Sequence, residues 1–173
     1  LAAEVGEPAE RGTPSDAEES AYTSALGDEG FATADLLGDD AAQTHHYRPQ
    51  VDGSAAALPA LRKALMREAK ALQRGQLPLQ ADASIFVRQD ESRMNVFRAL
   101  LTGPTETPYS LGIFIFDIYC PPEYPTIPPL VHFETTGGGT VKFNPNLYAD
   151  GKARSPPGRD ARADRAALPP PPP

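Results

Sequence analysis

The sequence predicts an α+β domain in which one N-terminal helix packs on a four-stranded antiparallel meander. Three observations support this prediction: an apolar stripe at helical spacing in residues 58–75, four short apolar segments separated by turn residues, and a proline-rich connection before the last segment. The chain has 173 residues, which is enough for one such domain with little room for a second.

The helix is predicted over Leu58–Gly75. Its apolar residues share one face at 100° per residue: Leu58, Leu61, Leu65, Ala69 and Leu72. Pro59 suits a first helical turn, and Gly75 suits the position just after the last turn. The opposite face is basic and carries Lys63, Arg67, Lys70 and Arg74. This face is either a solvated surface or a docking stripe for an acidic protein partner.

The four predicted strands are Ile85–Asp90, Met94–Thr102, Ile113–Tyr119 and Leu130–Glu134. Turn residues between them favour antiparallel pairing over parallel crossovers. The third segment is apolar at both odd and even positions, a pattern typical of a strand that is covered on both faces. A single helix covers only one face. The sequence therefore predicts a second covering element.

The connection before the fourth strand, CPPEYPTIPP, contains five prolines. Proline fixes φ and lacks an amide hydrogen, so this segment excludes a helix or a central strand. We expect a stiff, extended connection that determines where the fourth strand enters the sheet.

The first 57 residues, the lead-in, are rich in alanine, glycine, serine and acidic residues, and we expect them to be mostly disordered. Two apolar patches, Tyr22–Leu26 and Phe31–Leu37, could dock on a neighbouring surface or form short helical turns. His45 and His46 are adjacent and cannot easily bind one metal ion, so no metal site is predicted. The first twenty residues contain no apolar core and predict no secretory signal. A first residue of leucine suggests a piece of a longer protein or an incomplete gene model.

The net charge of −7 and the pI of about 4.9 argue against binding to nucleic acid. The single cysteine, Cys120, excludes an internal disulfide and any multi-cysteine metal site. No apolar run reaches the roughly 20 residues that span a bilayer, so no membrane partner is predicted. We expect a cytoplasmic location, with a nuclear one also open.

Three motifs occur in an order that resembles the ubiquitin-conjugating enzyme family: GPTETPYSLGIF (Gly103–Phe114), PPEYPTIPP (Pro121–Pro129) and FNPNLYADGK (Phe143–Lys152). Asn144 replaces the histidine of most members, which makes the chain similar to the very large inhibitor-of-apoptosis type of conjugating enzyme. The resemblance covers residues 58–152. It implies the ubiquitin-conjugating fold with its C-terminal helices missing.

The resemblance also implies a mechanism. In the family, a cysteine accepts ubiquitin from an activating enzyme that uses ATP and passes it to a lysine of a substrate, usually with a ligase. The conjugating domain itself needs no cofactor and no metal. Asn146 matches the asparagine that stabilises the oxyanion or positions the loop. The basic helix face matches the region that docks the activating enzyme.

The family's cysteine lies eight positions after that asparagine, where this chain has Arg154. A permanently charged guanidinium is not a nucleophile, and thioester formation needs a thiolate. Cys120 ends the third strand and is expected to be packed. We therefore predict an inactive fragment of a conjugating enzyme. The alternatives are a cysteine-less variant that binds partners and, outside the family, a polyproline ligand formed by residues 169–173.

Residues 153–173 form a proline-rich tail with no resemblance to the family, and we expect it to be disordered. Two origins would explain the loss of resemblance after residue 152. One is a reading-frame or splice error, and the other is a genuine product that lacks the family's catalytic cysteine. Without helices after residue 152, Phe114, Phe116 and Ile118 would face water. The sequence then predicts a poorly stable domain.

Overall fold

A computed structural model describes residues 14–38, 44–53, 59–75, 77–137, 139–141, 147 and 150–153. Its helices and strands are α1 (Asp16–Leu26), β1 (Phe31–Ala34), α2 (Arg48–Asp52), α3 (Pro59–Gln73), β2 (Ile85–Asp90), β3 (Val96–Thr102), β4 (Ile113–Tyr119) and β5 (Leu130–Phe133), with a 3₁₀ turn at Gly27–Glu29. The fold is α+β, as predicted. Within the described part of the chain, no helix is both long enough and apolar enough to cross a membrane.

Strands β2 to β5 form the predicted antiparallel meander, in sequence order across the sheet. The bounds of β2 and β4 match the prediction, whereas β3 starts two residues later and β5 ends one residue earlier than expected. Cross-strand partners share a face of the sheet. One face, called here the inner face, therefore carries a row that runs from Val87 through Ala99 and Phe116 to Phe133.

Helix α3 covers the inner face, as its periodicity predicts. Leu61, Ala64, Leu65 and Ala69 are buried, and the two leucines join a core with Val87, Phe97 and Ala99. Burial of each leucine stabilises the fold by about 2 kcal/mol. Gly75 has a φ of +75°, a conformation that favours glycine after a helix end. Leu58 lies outside the described residues.

The sheet has a fifth strand in addition to the four of the predicted meander. Strand β1 pairs in parallel with β2, with Phe31 opposite Val87. Its pairing begins where the amide of Val87 donates to the carbonyl of Gly30 at 2.7 Å. The segment FATA is short and contains two alanines, so its composition gives no strand signal. Backbone pairing to an open sheet edge forms the strand instead.

The expectation of a mostly disordered lead-in is wrong for residues 14–38 and 44–53. A capping box starts α1: the Ser15 hydroxyl accepts from the amide of Glu18, whose carboxylate accepts from the amide of Ser15. Further along, Leu36, Tyr47 and Val51 pack against Val96 and Tyr119 of the sheet. A few well-placed apolar residues thus order a segment whose average composition is polar.

The two-sided apolar pattern of β4 is explained by covers that both precede it in the chain. Phe116 and Ile118 pack against the core under α3. Tyr119 contacts Tyr47 of the lead-in on the opposite face, with the two rings stacked 5.9 Å apart. Phe114 instead contacts Tyr109 and Phe133. All three of Phe114, Phe116 and Ile118 are half-buried, so the expectation that they face water is wrong.

The proline-rich connection contains no helix or strand between Cys120 and Pro129, as predicted, but it forms turns at residues 122–126 instead of the extended path that we expected. Tyr124 packs against the same core as α3, and its hydroxyl donates to the Glu68 carboxylate of that helix at 3.3 Å. The connection therefore lies against the end of α3 before the chain enters β5.

Candidate functional site

The described residues at the end of the third motif, together with Ala153, lie beside β5 and are called here the flap. They are Leu147 and residues 150–153. The amide of Phe133 donates to the carbonyl of Gly151 at 2.6 Å, and the amide of Ala153 donates to the carbonyl of Val131 at 3.2 Å. Leu147 and Ala153 also form an antiparallel bridge. Backbone hydrogen bonds thus fix the end of the flap along the edge of the sheet.

Gly151 allows this close approach. Its φ is +85°, and a Cβ at this position would lie 2.6 Å from Nε2 of His132 and 2.6 Å from the carbonyl oxygen of Phe133. Both the backbone conformation and the lack of space therefore exclude other residues without a shift of the flap.

A buried carboxylate organises the outer face of the sheet, opposite α3. Asp117 is 0% exposed and accepts hydrogen bonds from Nε and Nη2 of Arg98 at 2.6 and 2.9 Å. It also accepts from the backbone amide of His46 at 2.7 Å. Burial alone would raise the pKa of Asp117, but these hydrogen bonds hold it below its ordinary value. The lead-in is thereby attached to a charged pair in β3 and β4.

The neighbouring imidazole points into the protein. His45 is fully buried, and its Nε2 donates to the carbonyl of Phe97 at 3.0 Å while its Nδ1 accepts from the amide of Tyr47. Burial lowers the pKa of His45, so the ring is neutral and carries its proton on Nε2. This ring fixes the path of the lead-in where it crosses β3.

The basic stripe on α3 is accessible. Lys63, Arg67, Lys70 and Arg74 are all exposed, on the side of the helix opposite its buried leucines. The structure therefore brings together the four cations that the sequence analysis selected. Its use as a docking surface stays a prediction.

Comparison with known proteins identifies the family. The family model described as "Ubiquitin-conjugating enzyme" matches residues 64–154, just over half of the chain. The chain belongs to the ubiquitin-conjugating enzyme family. The resemblance read from the three motifs is confirmed.

Individual relatives agree with this assignment. The chain is 50% identical over 109 residues to the human "Dual E2 ubiquitin-conjugating enzyme/E3 ubiquitin-protein ligase BIRC6", an alignment that covers 62% of the chain and 2% of the relative. It is 54% identical over 76 residues to the "Probable ubiquitin-conjugating enzyme protein 17" of Caenorhabditis elegans (44% and 10% covered). It is 52% identical over 68 residues to human "Ubiquitin-conjugating enzyme E2 Z" (39% and 19%). The chain thus spans less than a quarter of the length of each.

Among solved structures, human ubiquitin-conjugating enzyme E2 G1 aligns with a TM-score of 0.44 and 23% identity. The alignment covers 57% of this chain and 73% of that one.

Two residues predicted for the ubiquitin-conjugating site, Asn146 and Arg154, lie outside the described residues, as does the tail after Ala153. Their roles stay predictions. The described residues next to them in sequence, Leu147 and Ala153, are the bridge partners that close the flap.

Cys120, the single cysteine of the chain, is 5% exposed and packs in the core with Leu61 and Leu65. Its backbone amide donates to the carbonyl of Asn95, and the Asn95 side chain donates to the carbonyl of Cys120. Burial, followed by the charge of Glu68, raises the pKa of the thiol to about 12. Cys120 is therefore protonated at neutral pH and shielded from a reaction partner.

One group of side chains was missed by sequence reasoning. His46 stacks on His132, with ring centroids 3.5 Å apart and planes within 5°. Glu134 lies next to them, with Oε1 3.6 Å from Nε2 of His132. Because 86 positions separate the two histidines, no local spacing indicates their contact. The expectation of no metal site considered only the adjacent His45 and His46, whose rings point in different directions.

The electrostatics of this group follow from partial burial. Burial, and then the neighbouring His46, lower the pKa of His132, whereas Asp117 and Asp150 act in the opposite sense. Burial, and then the charge of Asp117, raise the pKa of Glu134. The charge of Asp117 thus disfavours ionisation of Glu134, whereas Arg98 acts in the opposite sense.

Proposed function

We propose that this chain is a ubiquitin-conjugating domain that does not accept ubiquitin as a thioester. The observation that carries the proposal is the state of its single cysteine. Cys120 is buried under α3 with a thiol pKa of about 12, and position 154 holds arginine. A thioester needs an accessible thiolate, and neither position supplies one.

A charging assay tests this proposal. The chain is incubated with ubiquitin, ubiquitin-activating enzyme and ATP, and a reductant-sensitive band shift is sought on a gel. We expect no adduct. The matched variant, Arg154→Cys, places a cysteine eight positions after Asn146, where the family has its own, and is expected to form one. An adduct on the unaltered chain that disappears in Cys120→Ser would contradict the proposal.

The binding of partners is proposed separately, because the exposed basic stripe of α3 does not depend on residue 154. We propose that Lys63, Arg67, Lys70 and Arg74 dock the ubiquitin-activating enzyme. Four cations at this spacing present a continuous positive face to an acidic surface. Ubiquitin, a ligase and a substrate protein are the further partners that family membership supports in general terms.

Replacement of basic stripe residues by glutamate distinguishes a docking surface from a helix face that is only solvated. The Lys63→Glu and Arg67→Glu variants are expected to weaken binding to the activating enzyme, with a smaller loss at high salt because salt screens the contact. Arg62→Glu is the matched control: it changes the same charge on the same helix, on an exposed position outside the stripe. Equal losses in all three variants would indicate a general charge effect and contradict a specific stripe.

We also propose a cytoplasmic location, with ATP used by the activating enzyme and no cofactor bound to this chain. Fluorescence microscopy of the tagged full chain tests the location, with a nuclear signal as the alternative.

A further inference from the structure

We propose that His46, His132 and Glu134 bind a Zn²⁺ ion that joins the lead-in to β5. Their nitrogen and oxygen ligand atoms all lie within 4.8 Å of one another. Two imidazoles and one carboxylate are a ligand set that zinc accepts, with the fourth tetrahedral position left for water or another ligand. The zinc site does not depend on the proposed lack of thioester formation, because that proposal rests on positions 120 and 154 and on none of these three residues.

The sheet places two of the three proposed ligands, His132 in β5 and Glu134 just after it, on the same face. His132 is the cross-strand partner of Asp117 on the outer face of the sheet. Glu134 follows two positions later, which returns its side chain to the same side, and its amide continues the ladder by donating to Ile115. His132 and Glu134 are thus held by the sheet before any ion binds.

The third proposed ligand, His46, is held near the site by the buried carboxylate of Asp117. Because the backbone amide of His46 donates to Asp117 at 2.7 Å, the Cα of His46 is fixed beside β4. His45 is turned inward by its bond to Phe97 and cannot reach the site. Asp117 therefore positions His46 without binding the ion itself.

Binding of one ion by all three residues would need rotation of side chains but no movement of the backbone. Ligand atoms of a tetrahedral zinc site lie roughly 3–3.5 Å apart. In the stack the two rings are nearly parallel, so their lone pairs do not point to one place. His46 is exposed, so its side chain can rotate until a ring nitrogen points toward the ion. Its backbone amide keeps its hydrogen bond to Asp117 during this rotation.

The surroundings favour a divalent cation. Among the described residues, the carboxylates near the site are Glu134, Asp117 and Asp150, and the cations are Arg98 and the exposed Lys152, which is the bridge partner of His132. A dication would relieve the repulsion between Asp117 and Glu134.

An ion at this site would connect segments that lie far apart in sequence. His46 belongs to the lead-in, His132 to β5, and the flap is hydrogen-bonded to β5 through Gly151 and Ala153. Zinc would therefore hold the lead-in against the strand that supports the flap.

Calorimetric titration of ZnCl₂ into the full metal-free chain tests the proposal. We expect saturable binding of one ion per chain. His46→Asn and His132→Asn should each weaken it at least about tenfold, since each removes one of three protein ligands. Glu123→Gln, which removes an exposed carboxylate from the proline-rich connection, is the control and should bind like the unaltered chain.

Two further measurements exclude misfolding and adventitious binding. Zinc should raise the Tm of the unaltered chain in a concentration-dependent way and leave the Tm of the His46→Asn/His132→Asn double variant unchanged. Without metal, His46→Asn should melt like the unaltered chain, because His46 is exposed. Absence of saturable heat, or undiminished binding by the double variant, overturns the proposal.

Discussion

The two faces of the sheet are covered in different ways. On the inner face, α3 contributes Leu61 and Leu65 to an apolar core with Val87 and Phe97. On the outer face, the lead-in combines the apolar contacts of Val51 and Tyr47 with a buried charged pair, Arg98 and Asp117. The inner cover follows from a local repeat of apolar residues. The outer cover depends on single contacts between residues far apart in sequence.

The largest effect is expected on the outer face. Asp117→Ala leaves the guanidinium of Arg98 without its carboxylate and removes the acceptor for the amide of His46. Breaking a buried ion pair from one side costs about 3–5 kcal/mol. The free energy of unfolding in urea measures the loss. The double variant Arg98→Met/Asp117→Leu should recover much of it, since it leaves no unpaired charge. A double variant as unstable as the single one would show that geometry, not charge, dominates.

A slightly smaller effect is expected on the inner face. Leu65→Ala removes a side chain that is 1% exposed and leaves a cavity between α3 and the sheet, at a cost of about 3 kcal/mol. Met66→Ala on the adjacent, exposed position of the same helix is the control and should change stability little. Chemical denaturation of both variants checks the difference, and equal losses would mean that α3 does not pack as described.

The third effect concerns pH and His45. Its folded-state pKa lies below the ordinary value of 6.5, so the unfolded chain binds the proton first as pH falls. Stability from this group is complete above pH 6.5 and falls as pH drops below it, by at most about 1.4 kcal/mol per pH unit. Asp117, whose folded pKa is also lowered, adds its own loss only below about pH 4. Stability measured between pH 7 and 5 should slope less in His45→Gln, and an equal slope would contradict this assignment.

The smallest effect is expected at the start of α1. Ser15→Ala removes the hydroxyl that caps the helix and should cost about 1 kcal/mol. Ser15→Asp keeps an acceptor at the same position and should restore most of it. Thermal melting of the two variants separates the cap from a general effect of substitution at this site.

Prediction from sequence succeeded where local patterns determine the structure. The buried face of α3, the bounds of β2 and β4, and the end of the helix near Gly75 all followed from apolar spacing and backbone preferences. It failed for β1, because pairing with the edge of β2 depends on main-chain atoms and leaves no side-chain signal. It also failed for most of the lead-in, where the polar average composition hid the single apolar residues Tyr47 and Val51.

The residues of the candidate site also fall into two groups, those that local patterns indicate and those that only the fold brings together. The basic stripe was found because its four residues recur on one side of a helix, and Cys120 was expected to be packed because it ends a buried strand. The contact of His46 with His132 could not be found, since it requires the register of β4 with β5 and the turn of the lead-in onto Asp117. Periodicity gives no information on such distant pairs.

The four-residue strand β1 has a consequence for self-association. A long open sheet border can recruit a second chain by strand addition, a common route to aggregates. Here β1 occupies the border of β2, and because β1 is so short it offers few free main-chain groups of its own. At the other border, Gly151 and Ala153 already occupy main-chain groups of β5. The arrangement leaves little room for a neighbouring molecule to extend the sheet.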